Sequence, residues 1–243
     1  DELFGGYSSF DNYNKLSKFT KLSRFFPRLL FNLIPKKHLS DKNRKLMSLL
    51  REKQDDPLSK YIAIRGILEN QRIEKLLNVQ FDQDWRRCLY RPHEDINFHS
   101  NENIVSFFET TMYMNNQLLR DSDTMSMRHS LELRIPFTDH ELVKFACSIP
   151  GKYKHNKEIL VDAVKKRLPR EIYDRPKQGF TFPFEEWIRA SVYDETKSLF
   201  FHDNDIFNKT ELKKLWASFE NGQTNWSRIW AVVVLNYYYS RYG

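Results

Sequence analysis

Apolar side chains recur at helical spacing along residues 102–120, through Ile104, Val105, Phe107, Phe108, Met112, Leu118 and Leu119. A stripe of that period belongs to a helix that buries one face and solvates the other. The pattern returns downstream in shorter pieces. Asp139 followed by Leu142, Val143, Phe145 and Ala146 predicts an Asp-capped helix that stops near Pro150. Residues 157–168 carry Ile159, Leu160, Ala163 and Val164 and run into Pro169, which cannot continue a helix. Pro183 suits the first turn of a helix bearing Trp187, Ile188 and Val192. Thr210 is the expected cap of a helix through Phe219 that Asn221-Gly222 ends. Residues 225–240 predict a last helix around Trp226, Ile229, Trp230, Val233 and Leu235. Alternation is confined to Leu131-Glu132-Leu133-Arg134-Ile135, which reads as a short strand or an extended linker. The predicted fold class is therefore mainly α.

A chain of 243 residues, 40% hydrophobic and 15% aromatic, has enough apolar mass for a core, which excludes a disordered or collagen-like chain. Its length suits one large domain or two small ones. No apolar run is long enough to span a membrane. Cys88 and Cys147 form no CxxC pairing, so a disulfide scaffold or structural zinc site is not expected, and a reducing compartment, the cytoplasm, is. The net charge of +7 is uneven: residues 1–60 hold 13 Lys and Arg against 7 Asp and Glu, and the remainder is nearly balanced. In residues 8–60, Pro27, Pro35 and Pro57 break the chain into two or three short helices. Such basic helices can lie on a membrane or an acidic partner, or simply keep their lysines in water over a core-facing side. Without regular aromatic interleaving or a groove-reading helix, no nucleic-acid partner is expected.

Three segments carry residue types that packing alone does not explain. Asp1-Glu2-Leu3-Phe4-Gly5-Gly6-Tyr7 sets two carboxylates before a double glycine, a turn where backbone can approach a ligand closely. Carboxylates with room beside them suit Mg²⁺ held together with substrate phosphates, although acidic residues also start helices for electrostatic reasons. Asp121 to Ser130 alternates charged and hydroxyl groups with apolar ones and runs into Leu131 to Phe137, where Glu132 and Arg134 can bridge to neighbours. Arg175-Pro176-Lys177-Gln178-Gly179-Phe180 holds a lysine between a proline and a Gly-Phe turn. Such a lysine suits a phosphate as a point charge, or is an ordinary surface lysine.

In order and content these segments resemble the synthetase domain of the glutamine-dependent asparagine synthetase family. The matching stretches are DELFGGY from Asp1 to Tyr7, LLRDSDTMSMRHSLELRIPFTDHEL from Leu118 to Leu142, and RPKQGFTFPFEEW from Arg175 to Trp187. The helix from Asn225 to Trp230 also fits. The resemblance covers nearly the whole chain apart from the basic stretch at 8–60. It implies that residues 1–243 are the helical C-terminal part of an α/β adenine-nucleotide-binding synthetase domain, with most of the parallel sheet missing.

The resemblance also implies an ATP-dependent ligase that activates a carboxylate, aspartate first among candidates, as an acyl-adenylate. Ammonia from a glutaminase domain or subunit then attacks the adenylate. Under this resemblance Lys177 is the catalytic lysine that stabilises charge on the phosphates. Asp1 helps hold Mg²⁺, and Glu2, Gly5, Gly6 and Tyr7 close the nucleotide loop. Asp121 and Asp123 line the acceptor pocket, while Glu132 and Arg134 form an ion-paired brace beneath it. The family's Ser-Gly-Gly-x-Asp-Ser pyrophosphate loop and its N-terminal glutaminase are absent from these residues, so the chain by itself is expected to be inactive. Thr138 stands where the family usually has an aliphatic residue, and the turn at 154–157 is short for the family. The alternatives are a relative that amidates a sugar or cell-surface polysaccharide carboxylate or closes a peptide or β-lactam ring, or a non-catalytic basic binding module. The sequence leaves room for a homodimer.

Overall fold

The computed structural model describes residues 1–23, 45–47, 49–50, 56–77, 98–175 and 182–243. In chain order its α-helices and one π-helix are α1 (Ser8–Ser23), α2 (Pro57–Arg65), α3 (Asn70–Leu76), α4 (Asn101–Phe108), a π-helix (Glu109–Leu119), α5 (Arg120–Met127), α6 (His140–Ser148), α7 (Glu158–Val164), α8 (Arg170–Tyr173), α9 (Phe184–Arg189), α10 (Tyr193–Phe200), α11 (Lys209–Glu220) and α12 (Trp226–Tyr242), with short 3-10 turns at Pro136–Thr138 and Gly151–Tyr153. Among the described residues there is no strand, only an isolated antiparallel bridge between Leu77 and Phe207. The mainly α expectation holds.

The chain divides into two compact units. The first joins Asp1–Gly66 to Asp84–Pro176, and the second joins Ile67–Gln83 to Lys177–Gly243. In the first unit, α1 packs on α2 and α4. Phe10, Tyr13, Tyr61, Val105 and Phe108 meet there in one buried cluster. A second cluster pairs Leu3 and Phe4 with Ala146 and Ile149, backed by Leu142, Val143, Ile159 and Leu160. The apolar residues of the opening turn are thus core residues, which fixes the polar ones around them. In the second unit α12 packs against α9, α10 and α11. Its core contains Ile188, Phe200, Leu215, Trp216, Phe219, Ile229 and Val233.

Several sequence expectations are refined. The long stripe over 102–120 is helical, but α-helical only to Phe108; from Glu109 the ladder widens into an eleven-residue π-helix before α5 restores the ordinary turn. Asp139 does cap α6, its carboxylate accepting from the Leu142 N–H at 3.0 Å. The cap of α11 is Asn208 rather than Thr210: the Asn208 side-chain oxygen accepts from the N–H groups of Thr210 and Glu211. Helix α7 ends at Val164, four residues short of Leu168, and Pro183 precedes α9 rather than lying in its first turn. Residues 131–135 are extended and unpaired with any strand, which selects the linker over the strand. Pro27, Pro35, the apolar clusters between them, Cys88 and Lys177 lie outside the described residues.

Candidate functional site

The acidic turn is closed by its own backbone, the Gly6 N–H donating to the Asp1 carbonyl at 2.8 Å. Gly5 sits at φ +71°, a region that side chains disfavour. A Cβ there would lie 2.2 Å from the Lys154 carbonyl oxygen, because the turn lies directly on the 154–157 loop. The Asn156 N–H donates to the Gly5 carbonyl and the Lys157 N–H to the Phe4 carbonyl, each at 3.0 Å. Asn156 and Lys157 themselves adopt left-handed backbone angles, φ +46° and +62°. Non-glycine residues persist there only when the surroundings hold them, and those two hydrogen bonds do.

Gly6 makes room for a carboxylate: a Cβ in its place would fall 1.9 Å from Asp1 Oδ1. That carboxylate is 27% exposed and pairs with Lys157 Nζ at 3.1 Å. Sequence reasoning missed Lys157; the only local hint is a lysine directly preceding the apolar run of α7. Mg²⁺ takes oxygen ligands and is often held by one or two carboxylates with phosphates and water completing its shell. A partly exposed Asp1 carboxylate in a cradle cleared by Gly6 fits that requirement. Among the described residues no group of three or more His, Cys, Asp or Glu is arranged to hold a metal, so any ion here depends on oxygens from outside them.

Glu2 faces inward. Its carboxylate accepts from the Tyr7 hydroxyl at 2.8 Å, and its backbone carbonyl accepts from the Ser106 hydroxyl at 2.8 Å. Burial alone would raise the Glu2 carboxyl, but hydrogen bonds from its own backbone and from Tyr7 counter it, and the group is held below the usual carboxylate value. Burial, the Glu2 hydrogen bond and the Glu2 charge all push the Tyr7 phenol upward. Tyr7 is therefore a donor fixed to Glu2, and Glu2 is a strut of the turn rather than an open ligand.

Behind Tyr7 lies a buried ionic cluster that sequence reasoning also missed. Glu109, the first residue of the π-helix, is fully buried. It accepts from the Ser9 hydroxyl at 2.5 Å, from Arg65 Nε at 2.9 Å and from a terminal guanidinium nitrogen of Arg65. The Arg65 guanidinium stands 4.2 Å from the Tyr113 ring centre and 5.1 Å from that of Tyr7. The two rings meet edge to face at 5.9 Å. Burial would lower the Arg65 pKa, yet the hydrogen bonds and charge of Glu109 raise it. Nearby, Glu102 accepts from the Asn14 amide at 2.8 Å. Burial opposes its ionisation, but Asn14, its own backbone N–H, the Ser100 hydroxyl and the Lys154 charge lower its pKa overall.

The remaining candidates lie apart from this cluster. Asp121 and Asp123 project from the first turn of α5 into solvent, and among the described residues no hydrogen bond or ion pair ties either carboxylate to the acidic turn. Glu132 and Arg134 pair with each other at 2.7 Å but are 69% and 86% exposed. Cys147 is a free, exposed thiol. No helix among the described residues is long and apolar enough to cross a membrane.

The family model for asparagine synthase matches residues 1–240, the basic stretch included. Asparagine synthetase [glutamine-hydrolyzing] 1 of Bacillus subtilis (strain 168) is 24% identical over 249 aligned residues, which cover 99% of this chain and 39% of that protein. Asparagine synthetase [glutamine-hydrolyzing] 3 of the same organism is 37% identical over 96 residues, 35% of this chain and 16% of that protein. Amidase chyE of Penicillium rubens is 28% identical over 111 residues, 41% of this chain and 16% of its own length. The chain thus spans about two-fifths of the relative it matches end to end. No solved structure matches it.

Proposed function

The chain belongs to the asparagine synthase family, and from that premise we propose that residues 1–243 are the C-terminal portion of a synthetase domain whose parent protein makes an amide from a carboxylate, glutamine-derived ammonia and ATP. The observation that carries this reading is the family match across residues 1–240. In the proposed reaction a carboxylate oxygen of the substrate bonds to the α-phosphorus of ATP and pyrophosphate leaves. Ammonia then attacks the acyl carbon, loses a proton, and AMP departs. Aspartate is the proposed acceptor substrate, in line with the asparagine synthetases it resembles.

Charge grows on the phosphates in the first step, so the site needs fixed cations and a metal-holding carboxylate. Bound at Asp1, Mg²⁺ would neutralise part of the phosphate charge. Asp1 is the proposed metal-holding carboxylate, paired with Lys157 in this structure; Gly5 and Gly6 let the turn close around it, and Glu2 with Tyr7 stiffens the turn. Lys177 is the proposed cation on the transferring phosphate. Asp121 and Asp123 are the proposed lining of the acceptor pocket, and the Glu132–Arg134 pair its brace. In the parent protein, pyrophosphate release by Lys177→Ala is expected to fall about 10²–10³-fold, the scale for losing one group that stabilises transition-state charge. Wild-type turnover by that variant removes the role given to Lys177.

Matching stretches also occur in proteins not named for asparagine, which leaves one second reading, in which the amide-forming chemistry is kept but acts on another carboxylate. A panel of carboxylates assayed for pyrophosphate release separates the two, and turnover with aspartate alone rejects the second.

A further inference from the structure

Three elements converge on the Glu109 carboxylate. Ser9 reaches it from the first turns of α1, Arg65 from the last turn of α2, and the π-helix begins at Glu109 itself. A fully buried carboxylate stays charged only when paired and hydrogen-bonded, and here the Arg65 fork and the Ser9 hydroxyl supply that pairing. The fork also fixes the plane of the guanidinium. Held there, Arg65 faces the rings of Tyr113 and Tyr7 at cation–π distance, and the Tyr7 hydroxyl in turn holds the Glu2 carboxylate.

A continuous path therefore runs from the buried carboxylate through Arg65 and Tyr7 to the acidic turn. The turn's other side rests on the 154–157 loop, which leaves the Asp1 carboxylate presented between two supports. The π-helix is part of the arrangement: Glu109 and Tyr113 both lie within its first half, and both touch Arg65. π-Helical turns are rare and concentrate at functional sites.

We infer that Arg65 and Glu109 are a positioning pair for the synthetase reaction, setting the acidic turn through Tyr7 and Glu2 without touching substrate. The inference rests on the function proposed above, but its structural half is measurable without it. The experiment uses the parent protein carrying Arg65→Lys or Glu109→Gln, with two readouts. One is kcat and KM for pyrophosphate release; the other is amide hydrogen exchange in peptides covering residues 1–7, 154–158 and 209–220.

Misplacement of a catalytic group by about an ångström can cost up to about 10²-fold in rate, so a kcat loss of about tenfold or more is expected with KM for the carboxylate within about twofold. Exchange is expected to quicken in residues 1–7 and 154–158 and to stay unchanged in α11. A variant that exchanges faster everywhere reports lost folding; Arg65→Lys, which keeps the charge beside Glu109 but loses the planar fork, then decides the matter. Unchanged protection of the turn in Arg65→Lys overturns the inference, as does lost protection with unchanged kcat. If the wild-type parent releases no pyrophosphate, the proposed function fails, while the exchange result still tests whether the pair holds the turn.

Discussion

Gly5 turns at φ +71° with the Lys154 carbonyl beneath it, and Gly222 turns at φ +68° with nothing within 4 Å. Alanine at either position pays the left-handed strain of about 1–2 kcal/mol. At Gly5 it also meets backbone that cannot swing aside, so Gly5→Ala is expected to exceed Gly222→Ala by on the order of 1–3 kcal/mol in urea unfolding. Equal losses would mean that the 154–157 loop yields freely. Glu102 supports a second expectation. Its folded-state pKa lies below the ordinary value of 4.5, so its contribution to stability is complete above about pH 4.5 and is lost as the pH falls through the lowered value. Melting temperature should therefore decline from about pH 4.5 downward, and Glu102→Gln should flatten that decline; an unchanged acid limb refutes the assignment. What was legible in the candidate site was local: Asp1, Gly5 and Gly6 stand within one turn, so neighbours in sequence are neighbours in space. Lys157, Arg65 and Glu109 were not legible, because the groups they serve lie 156, 58 and 100 residues away along the chain.

Caps explain where sequence reading of the elements succeeded and where it slipped. Before α6 the chain offers Thr138 and Asp139, and the one directly before the helix is the cap, its carboxylate accepting from the Leu142 N–H. Before α11 the chain offers Asn208, Lys209 and Thr210, and two of these three can cap. The side-chain oxygen of Asn208 reaches two N–H groups, which leaves Thr210 inside the first turn. Asn208→Ala is expected to cost about 1 kcal/mol in unfolding of the chain and Thr210→Ala only a few tenths. The reverse order would restore Thr210 as the cap. The π-helix was invisible for a different reason. Apolar periodicity reports which face is buried and is too coarse to detect a ladder that widens from i+4 to i+5. The widening coincides with Glu109, whose buried charge has to meet Arg65 and Ser9, so a long-range ionic contact rather than local propensity coincides with the change of helix type.

For the molecule as a whole, the mainly α class followed from the helical stripes alone. The division into two units did not, since the second unit recruits α3 from between two parts of the first. One of the stretches that resemble the family, Leu118 to Leu142, leaves its large apolar side chains in solvent: Met125, Met127, Leu131, Leu133 and Phe137 are between 48% and 65% exposed. Exposed apolar side chains contribute little to the stability of the chain that carries them, whatever they contact elsewhere. In the isolated chain Leu133→Ser is expected to change unfolding free energy by no more than about 0.5 kcal/mol, while Phe108→Ala, in the α1–α2–α4 core at 2% exposure, should cost about 3–5 kcal/mol. Urea unfolding of the two variants side by side is the check. A loss at Leu133 comparable to that at Phe108 would mean that residues 131–137 are buried within this chain in solution, and the extended, solvent-facing linker would have to be abandoned. A negligible loss would leave this family-like stretch contributing almost nothing to the folding of the chain that carries it, the behaviour of residues kept for what they meet rather than for what they hold up.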